Sequence, residues 1–299
     1  MARRLIYLIN PVAGTRKKTT LRKLIMVKTT QQNIPFEILE SDIDGNYQSL
    51  VDKITKEGVS DVIVCGGDGT VNSVVAHILN THVNIGIIPF GSGNGLARTA
   101  GIPLSPEKAL EIIFRGKVSK VDGFYINDQF SCMLSGIGFD AQVAHDFANK
   151  TKRGLKTYIK VAAFNYFKAR PYPFIIRSKQ VTIAADAYFV CIANSNQFGN
   201  NFTIAPKASL SDGLLDIVVM KKMSKFMLPF SIFSHVAGMN RLQNLSTGVK
   251  KKNVIYFQTT ELVIENLLFA PLHIDGEPMQ TNQVFNIRVF RNAFNLLQP

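Results

Sequence analysis

The chain has 299 residues, 46% of them hydrophobic and 18% charged, which is enough apolar material for one large domain or two ordinary ones and excludes a disordered chain. The 34 basic residues outnumber the 21 acidic ones, and the formal net charge of +13 favours anionic partners such as nucleotides, nucleic acid or acidic lipid headgroups without choosing among them. Cys65, Cys132 and Cys191 each lie in or beside an apolar run with no CxxC spacing, which points to buried thiols in a reducing compartment and away from a metal site.

The basic start and the apolar run 5–9 stop at Asn10-Pro11, short of a secretory core, so the run reads as a first strand. No stretch reaches the roughly 20 apolar residues of a membrane span. The nearest, 227–239, is broken by Pro229, Ser231, Ser234 and His235. The expectation is a cytoplasmic protein, soluble or peripherally associated with a membrane. Residues 61–65 and 85–89 also read as buried strands, and 21–30, 47–57, 71–79 and 106–114 read as amphipathic helices. That alternation predicts an α/β domain over residues 1–121, built on a parallel sheet covered on both faces. Each strand runs into a glycine-bearing loop: 10–14, 66–70 and 91–95. Ligands of open α/β sheets bind at the carboxyl ends of strands, so the three loops are expected to converge.

From residue 122 the texture changes. Short runs at 130–134, 180–184, 188–193, 215–220, 253–259, 262–265 and 284–290 predict a β-rich, mostly antiparallel, sandwich-like domain over 122–284. Helical insertions are expected near 141–168 and 224–241, and the tail 285–299 is expected to return to the first domain.

The segment from Asp61 to Asn72 passes from a buried strand, through three glycines, into a helix beginning near Thr70. Glycines let the backbone approach a ligand, and a helix start offers unpaired N–H groups to phosphate oxygens. An aspartate there, Asp68, makes sense if it holds a magnesium ion bridging phosphates or accepts a proton from an attacking hydroxyl. A plain glycine turn is the competing reading for a bare Gly-Gly, and the full strand–loop–helix context outweighs it.

Gly66-Gly67-Asp68-Gly69-Thr70 resembles the GGDGT signature of the diacylglycerol kinase catalytic domain, which is shared with sphingosine, ceramide, NAD and 6-phosphofructokinases. Four further segments are similar to elements of the diacylglycerol kinase and sphingosine kinase superfamily. They are Asn10-Pro11 with Gly14, the second glycine loop from Pro89 to Ala97, the turn Ser209-Leu210-Ser211-Asp212-Gly213-Leu214-Leu215-Asp216, and the late His273-Ile274-Asp275-Gly276-Glu277-Pro278. The resemblance covers nearly the whole chain and implies an ATP- and magnesium-dependent lipid kinase of the bacterial type.

Carried over by position, the resemblance implies that Asn10, Ser41, Gly66, Gly67, Asp68, Gly69, Thr70, Val71, Asn72, Gly91, Ser92, Gly93 and Asn94 contact ATP. It implies that Asp275 and Glu277 lie at the reacting hydroxyl, one as general base. The sphingosine kinase branch instead gives that role to the aspartate matching Asp68, so the base stays open between them. Alone, Asp275-Gly276 would read as a hairpin turn. A structural magnesium is implied at Asp212 with the carbonyls of Ser209 and Leu214, although Ser211 stands where an acidic residue is common and Asp212 also suits a bare turn. No GxxxxGK[ST] loop and no HRD or DFG element is present, so other kinase machinery is missing.

Gly91-Ser92-Gly93-Asn94-Gly95-Leu96-Ala97 is closer to the sphingosine kinase form of the second loop, while the late Asp-Gly-Glu is shared with the diacylglycerol branch. Gly136-Ile137-Gly138-Phe139-Asp140 resembles a stretch near the family's lipid pocket, which makes Asp140 and Gln142 candidates for a polar headgroup. Asp140 equally suits a helix cap. Lys150, Lys152, Arg153, Lys156, Lys160, Lys168 and Arg170 interleave with Leu155, Tyr158, Ile159, Phe164, Tyr166 and Phe167, a pattern that fits docking on an anionic bilayer or a solvated helix packed on the second domain. The histidines read as structural or surface residues, with His273 beside the late turn. The expected partners are a lipid substrate and a membrane surface, with no nucleic acid; a homodimer is left open. A soluble-substrate kinase of the NAD kinase type and a noncatalytic regulator of the same fold are the alternatives.

Overall fold

In the computed structural model, Leu5–Ile9 forms β1, every residue of it buried. The structure describes residues 3–14, 18–42, 45–150, 155–199, 202–227 and 253–299. Parallel to β1 on either side run β2 (Phe36–Glu40) and β3 (Asp61–Gly66), and β3 pairs in turn with β4 (Asn84–Pro89). Unbroken apolar runs such as Val62-Ile63-Val64 belong to strands covered on both faces. The covering helices are α1 (Lys18–Thr30), α2 (Gln48–Glu57), α3 (Asp68–Ile78), α4 (Gly95–Thr99) and α5 (Pro106–Arg115). Pro106 stands in the first turn of α5, where its missing N–H would have had no helical partner anyway. β2 is only half-buried and sits at the sheet edge, which explains why its sequence carries a weak apolar signal.

Two compact units divide the chain: residues 1–121 with 292–299, and residues 122–291. The second contains the latter half of β5 (Lys117–Ile126), then β6 (Gln129–Ser131), β7 (Leu134–Gly138), α6 (Phe139–Ala148), α7 (Leu155–Lys168), β8 (Tyr172–Ser178) and β9 (Thr182–Ala193). β10 (Gln197–Gly199), β11 (Phe202–Thr203), β12 (Leu215–Lys221), β13 (Val254–Thr259), β14 (Glu261–Asn266), β15 (Leu272–Ile274), β16 (Glu277–Met279) and the start of β17 (Val284–Gln298) complete it.

β9 serves two sheets. Its first half pairs with β8, and its second half lies between β7 and β12. One sheet is therefore β16-β15-β7-β9-β12-β13, and the other runs β9-β8-β14-β17 with β5 and β6 attached. Phe124, Phe174, Ile192, Ile217, Phe257 and Phe285 come together in a single apolar core drawn from both. This is the sandwich-like architecture expected, with 180–184 and 188–193 merged into one strand. The expected run 130–134 is instead split, because the Cys132, Met133 and Leu134 N–H groups turn toward a buried carboxylate described below.

The returning tail starts later than expected. Residues 284–288 of β17 pair with β14 in the second unit, and only Asn295 and Leu296 pair with β4, so the returning segment is 292–299 rather than 285–299. The helix expected near 224–241 lies largely outside the described residues.

Candidate active site

The three glycine loops of the first unit meet at the carboxyl ends of β1, β3 and β4, and specific contacts lock them. Asn10 Nδ2 donates to Thr70 Oγ1 at 2.7 Å, while Asn10 Oδ1 accepts the Val12 and Ala13 N–H groups at 2.8 and 3.0 Å. One side chain thus shapes the first loop and ties it to the second. Gly67 and Gly91 approach so closely that a Cβ on Gly91 would stand 2.4 Å from the Gly67 Cα, a backbone atom that cannot move aside. Asn94, in left-handed conformation, closes its own loop: its amide accepts the Gly91 N–H and donates to the Gly91 carbonyl, both at 2.9 Å.

Asp68 opens α3, and its carboxylate crosses to the next loop. Oδ2 accepts the Gly95 N–H at 3.0 Å and Oδ1 the Leu96 N–H at 3.2 Å, the first donors of α4. A carboxylate at a helix start is stabilised by the local dipole. Asp68 therefore acts as a clamp between the second and third loops. Ser92 is exposed at the third loop's tip, whereas Ser41 is buried just after β2, its hydroxyl bonded to Tyr47 and its N–H donating to Ile9 O. Burial pushes the Tyr47 phenol up. Gly66 and Val71 are buried and Gly67, Gly69, Thr70, Asn72, Gly91 and Gly93 half-buried, so the loop surface that could meet phosphates is mainly backbone.

In the second unit Asp275 and Gly276 form a two-residue hairpin turn between β15 and β16, both with positive φ (48° and 85°), as a type I′ turn demands. The turn is not exposed at Asp275. Its carboxylate is 3% exposed and accepts Ser131 Oγ–H at 2.7 Å and the Cys132, Met133 and Leu134 N–H groups at 3.0, 3.2 and 2.9 Å. Burial pushes its carboxyl up against the pull of these donors. Of the expected pair only Glu277 is solvent-exposed; Asp275 is a knot tying β15 to the β6–β7 connection.

Asp140 also departs from expectation. It lies 8% exposed in the first turn of α6, with Oδ1 accepting the Ala141 N–H at 2.9 Å and Oδ2 3.5 Å from His273 Nε2. The Gly276 N–H donates to His273 Nδ1 at 3.2 Å, which leaves the proton of a neutral ring on Nε2, facing Asp140. Asp140 is thus a buried partner of His273 and not a side chain free to meet a headgroup. Gly136 makes room for the pair, because a Cβ there would lie 1.8 Å from Asp140 Oδ2 and 2.7 Å from His273 Nε2. Gln142 is half-buried and donates to Asp146 Oδ1 at 3.0 Å.

The turn before β12 is held by a residue the sequence does not flag. Asp122 on β5 is buried and accepts the Gly213 N–H at 2.7 Å, while its own N–H donates to Leu210 O. Asp212 is exposed and folds one oxygen onto the Leu214 N–H, and Arg291 Nη2 donates to the Gly213 carbonyl at 3.4 Å. A single exposed carboxylate with the Ser209 and Leu214 carbonyls is an all-oxygen donor set, which suits a hydrated magnesium. Among the described residues no group of three or more His, Cys, Asp or Glu side chains could hold a metal. Farther along β12, Asp216 is fully buried, bonded by Tyr256 Oη–H and by Gln258 Nε2 at 3.2 Å, and burial pushes its carboxyl up to about 6.

Comparison with known proteins gives this architecture a family. Residues 4–126 match the diacylglycerol kinase catalytic domain, and residues 134–298 match the YegS C-terminal NAD kinase beta sandwich-like domain. The chain belongs to this lipid kinase superfamily. It is 27% identical to a probable lipid kinase YegS-like of Shewanella frigidimarina, over 92% of this chain and 88% of that protein. It is 28% identical to the probable lipid kinase YegS of Salmonella arizonae, over 85% of this chain and 83% of that one. A crystal structure of a putative diacylglycerol kinase from Bacillus anthracis shares the fold, with a TM-score of 0.79 at 21% identity over 99% of this chain and 96% of that one.

Proposed function

We propose that the protein transfers the γ-phosphate of ATP to the free hydroxyl of diacylglycerol. The observation that carries the reading is the mutual locking of the three glycine loops at the sheet's carboxyl edge beside the start of α3, the kind of backbone setting in which phosphate oxygens are bound. Phosphoryl transfer asks the protein for position and charge neutralisation rather than covalent help. In this reading Asn10 and Asp68 hold the loops around the phosphates, Thr70, Ser92 and Asn94 border them, and Glu277 accepts the proton as the lipid oxygen attacks the γ-phosphorus and ADP departs. A structural magnesium, when bound, would stiffen the turn before β12, held by Asp212 with the Ser209 and Leu214 carbonyls.

Glu277 is favoured over Asp275 because its carboxylate is exposed, and over Asp68 because both Asp68 oxygens already accept N–H groups. Diacylglycerol is favoured over a sphingoid base because Asp140, the one carboxylate among the headgroup candidates and so the one that could pair with a sphingoid ammonium, is buried against His273. The Gly91–Gly95 loop supports the sphingoid base as the second reading.

The test is transfer of labelled γ-phosphate to micellar diacylglycerol, sphinganine and ceramide, with Glu277→Gln and Asp68→Asn alongside. Transfer to diacylglycerol that falls about 10²- to 10⁴-fold in Glu277→Gln, at unchanged melting temperature, is the expected result. Binding of ATP with transfer to none of the lipids would sink the reading in favour of a soluble substrate or a noncatalytic role.

A further inference from the structure

The β14–β15 connection places three large apolar side chains in water one after another: Leu267, Leu268 and Phe269 are 41%, 65% and 58% exposed. Its neck is rigid. Fully buried Asn266 donates through Nδ2 to Ala270 O at 2.9 Å and Thr281 Oγ1 at 3.0 Å, and accepts the Ala270 N–H at 2.8 Å. Phe269 takes a positive φ of 51°, rare for an aromatic residue, at the tip. A well-braced loop that exposes three hydrophobes in sequence points to a partner.

Strand register identifies what surrounds it. Asn266 pairs with Phe174 near the start of β8, Tyr172 pairs with Ala187, and Ala187 pairs with Lys221 at the end of β12. Three chain segments therefore leave the second unit's sheets at one end: the 267–269 loop, the 169–171 link from α7, and the turn following Lys221. Lys225 Nζ donates to Phe167 O at 2.5 Å, and Tyr166 Oη–H donates to Lys225 O, joining α7 to that turn. Phe164, Phe167, Phe226 and Met227 are exposed on these segments, interspersed with Lys168, Arg170, Lys222 and Lys225. The nearby Asp186 lies 3.9 Å from Lys222.

We infer that this end of the second unit is a bilayer-insertion surface, in which Leu267, Leu268 and Phe269 enter the acyl boundary of an anionic membrane while the lysines and Arg170 meet its headgroups. The choice of a bilayer as occupant rests on the lipid-kinase reading above and on charge. Protein interfaces deplete lysine at their centres, whereas lysines interleaved with protruding phenylalanine and leucine suit an anionic lipid surface. This surface extends beyond the basic helical stretch singled out in the sequence, of which Lys152 and Arg153 lie outside the described residues.

The test uses the full chain and sedimentation with vesicles of phosphatidylcholine, with or without phosphatidylglycerol. A Leu268→Ser/Phe269→Asn double variant keeps a residue tolerant of positive φ at position 269. It should bind anionic vesicles about tenfold or more weaker than wild type. Lys168→Gln and Lys222→Gln should each weaken binding about fivefold at low salt. Melting temperature and phosphorylation of a dispersed short-chain diacylglycerol should stay as in wild type. Absence of phosphorylation in both proteins would defeat the lipid-kinase reading while the vesicle result still stands on its own. Wild type that ignores anionic vesicles, or a double variant that binds them equally well, would overturn the inference. So would a wild-type dimer that the double variant converts to monomer without change in vesicle binding, since a second copy would then be the occupant.

Discussion

Asp68 in the first unit and Asp275 in the second are both carboxylates that gather backbone N–H groups, yet they do opposite work. Asp68 is half-buried and bridges two loops that lie at the edge of a sheet. Asp275 is enclosed and accepts from Ser131, Cys132, Met133 and Leu134, a segment more than 140 residues away in the chain. The first arrangement joins half-buried loops; the second locks a core, and of the two late carboxylates only Glu277 faces solvent. A charged group accepting several donors is therefore no sign of catalysis by itself, and exposure decides what it can do.

Removing the locking carboxylate should have the largest effect. Asp275→Ala strands one hydroxyl and three N–H groups in the core and should lower stability by about 3–5 kcal/mol, read by chemical denaturation. A loss below about 1 kcal/mol would mean that Asp275 does not lock the core of the second unit. Next comes Asp216, whose buried carboxyl is raised to about 6 from 3.8. A carboxyl raised in the folded state binds its proton there first, so the wild type loses stability as pH climbs from near 4 to beyond 6. Relative to Asp216→Asn it should lose on the order of 3 kcal/mol across that window, and parallel pH curves for the two proteins would refute it.

Gly91→Ala acts on the first unit. The added Cβ drives the third loop away from Gly67, so kinase activity and ATP binding should fall about 100-fold while the second unit keeps its stability. The smallest effect is expected for Gly136→Ala, which pushes Asp140 and His273 apart. It should cost about 1–3 kcal/mol and, by shifting the Gly276 N–H, also lower activity. A melting change with no activity change would make the Asp140–His273 pair purely structural.

The first unit was legible because its demands are local. Asn10, the Gly66–Thr70 turn and the Gly91–Asn94 turn each announce a strand end within a few residues, and what converges is backbone. Even so, α4 and the half-buried edge strand β2 left too short or too weak an apolar pattern to be read. The sandwich class was also readable, from short alternating runs. Which carboxylate of the late motif faces solvent was not, because Asp275 and Glu277 differ only in what distant strands bring to them. Asp140 shows the same limit: its role is decided by His273 on another strand and by the gap left at Gly136. Asp122 gave no signal at all, since nothing in its surrounding sequence reveals that it will hold the Gly213 N–H.

β17 belongs to both units. Its first residues complete the second unit's sheet, and residues 292–299 supply the strand that covers β4 in the first. During synthesis the glycine loops emerge early, but β4 remains an open edge until residues 292–299 have been made. Throughout that interval the nascent chain presents an unpaired strand edge, a ready template for unwanted strand pairing.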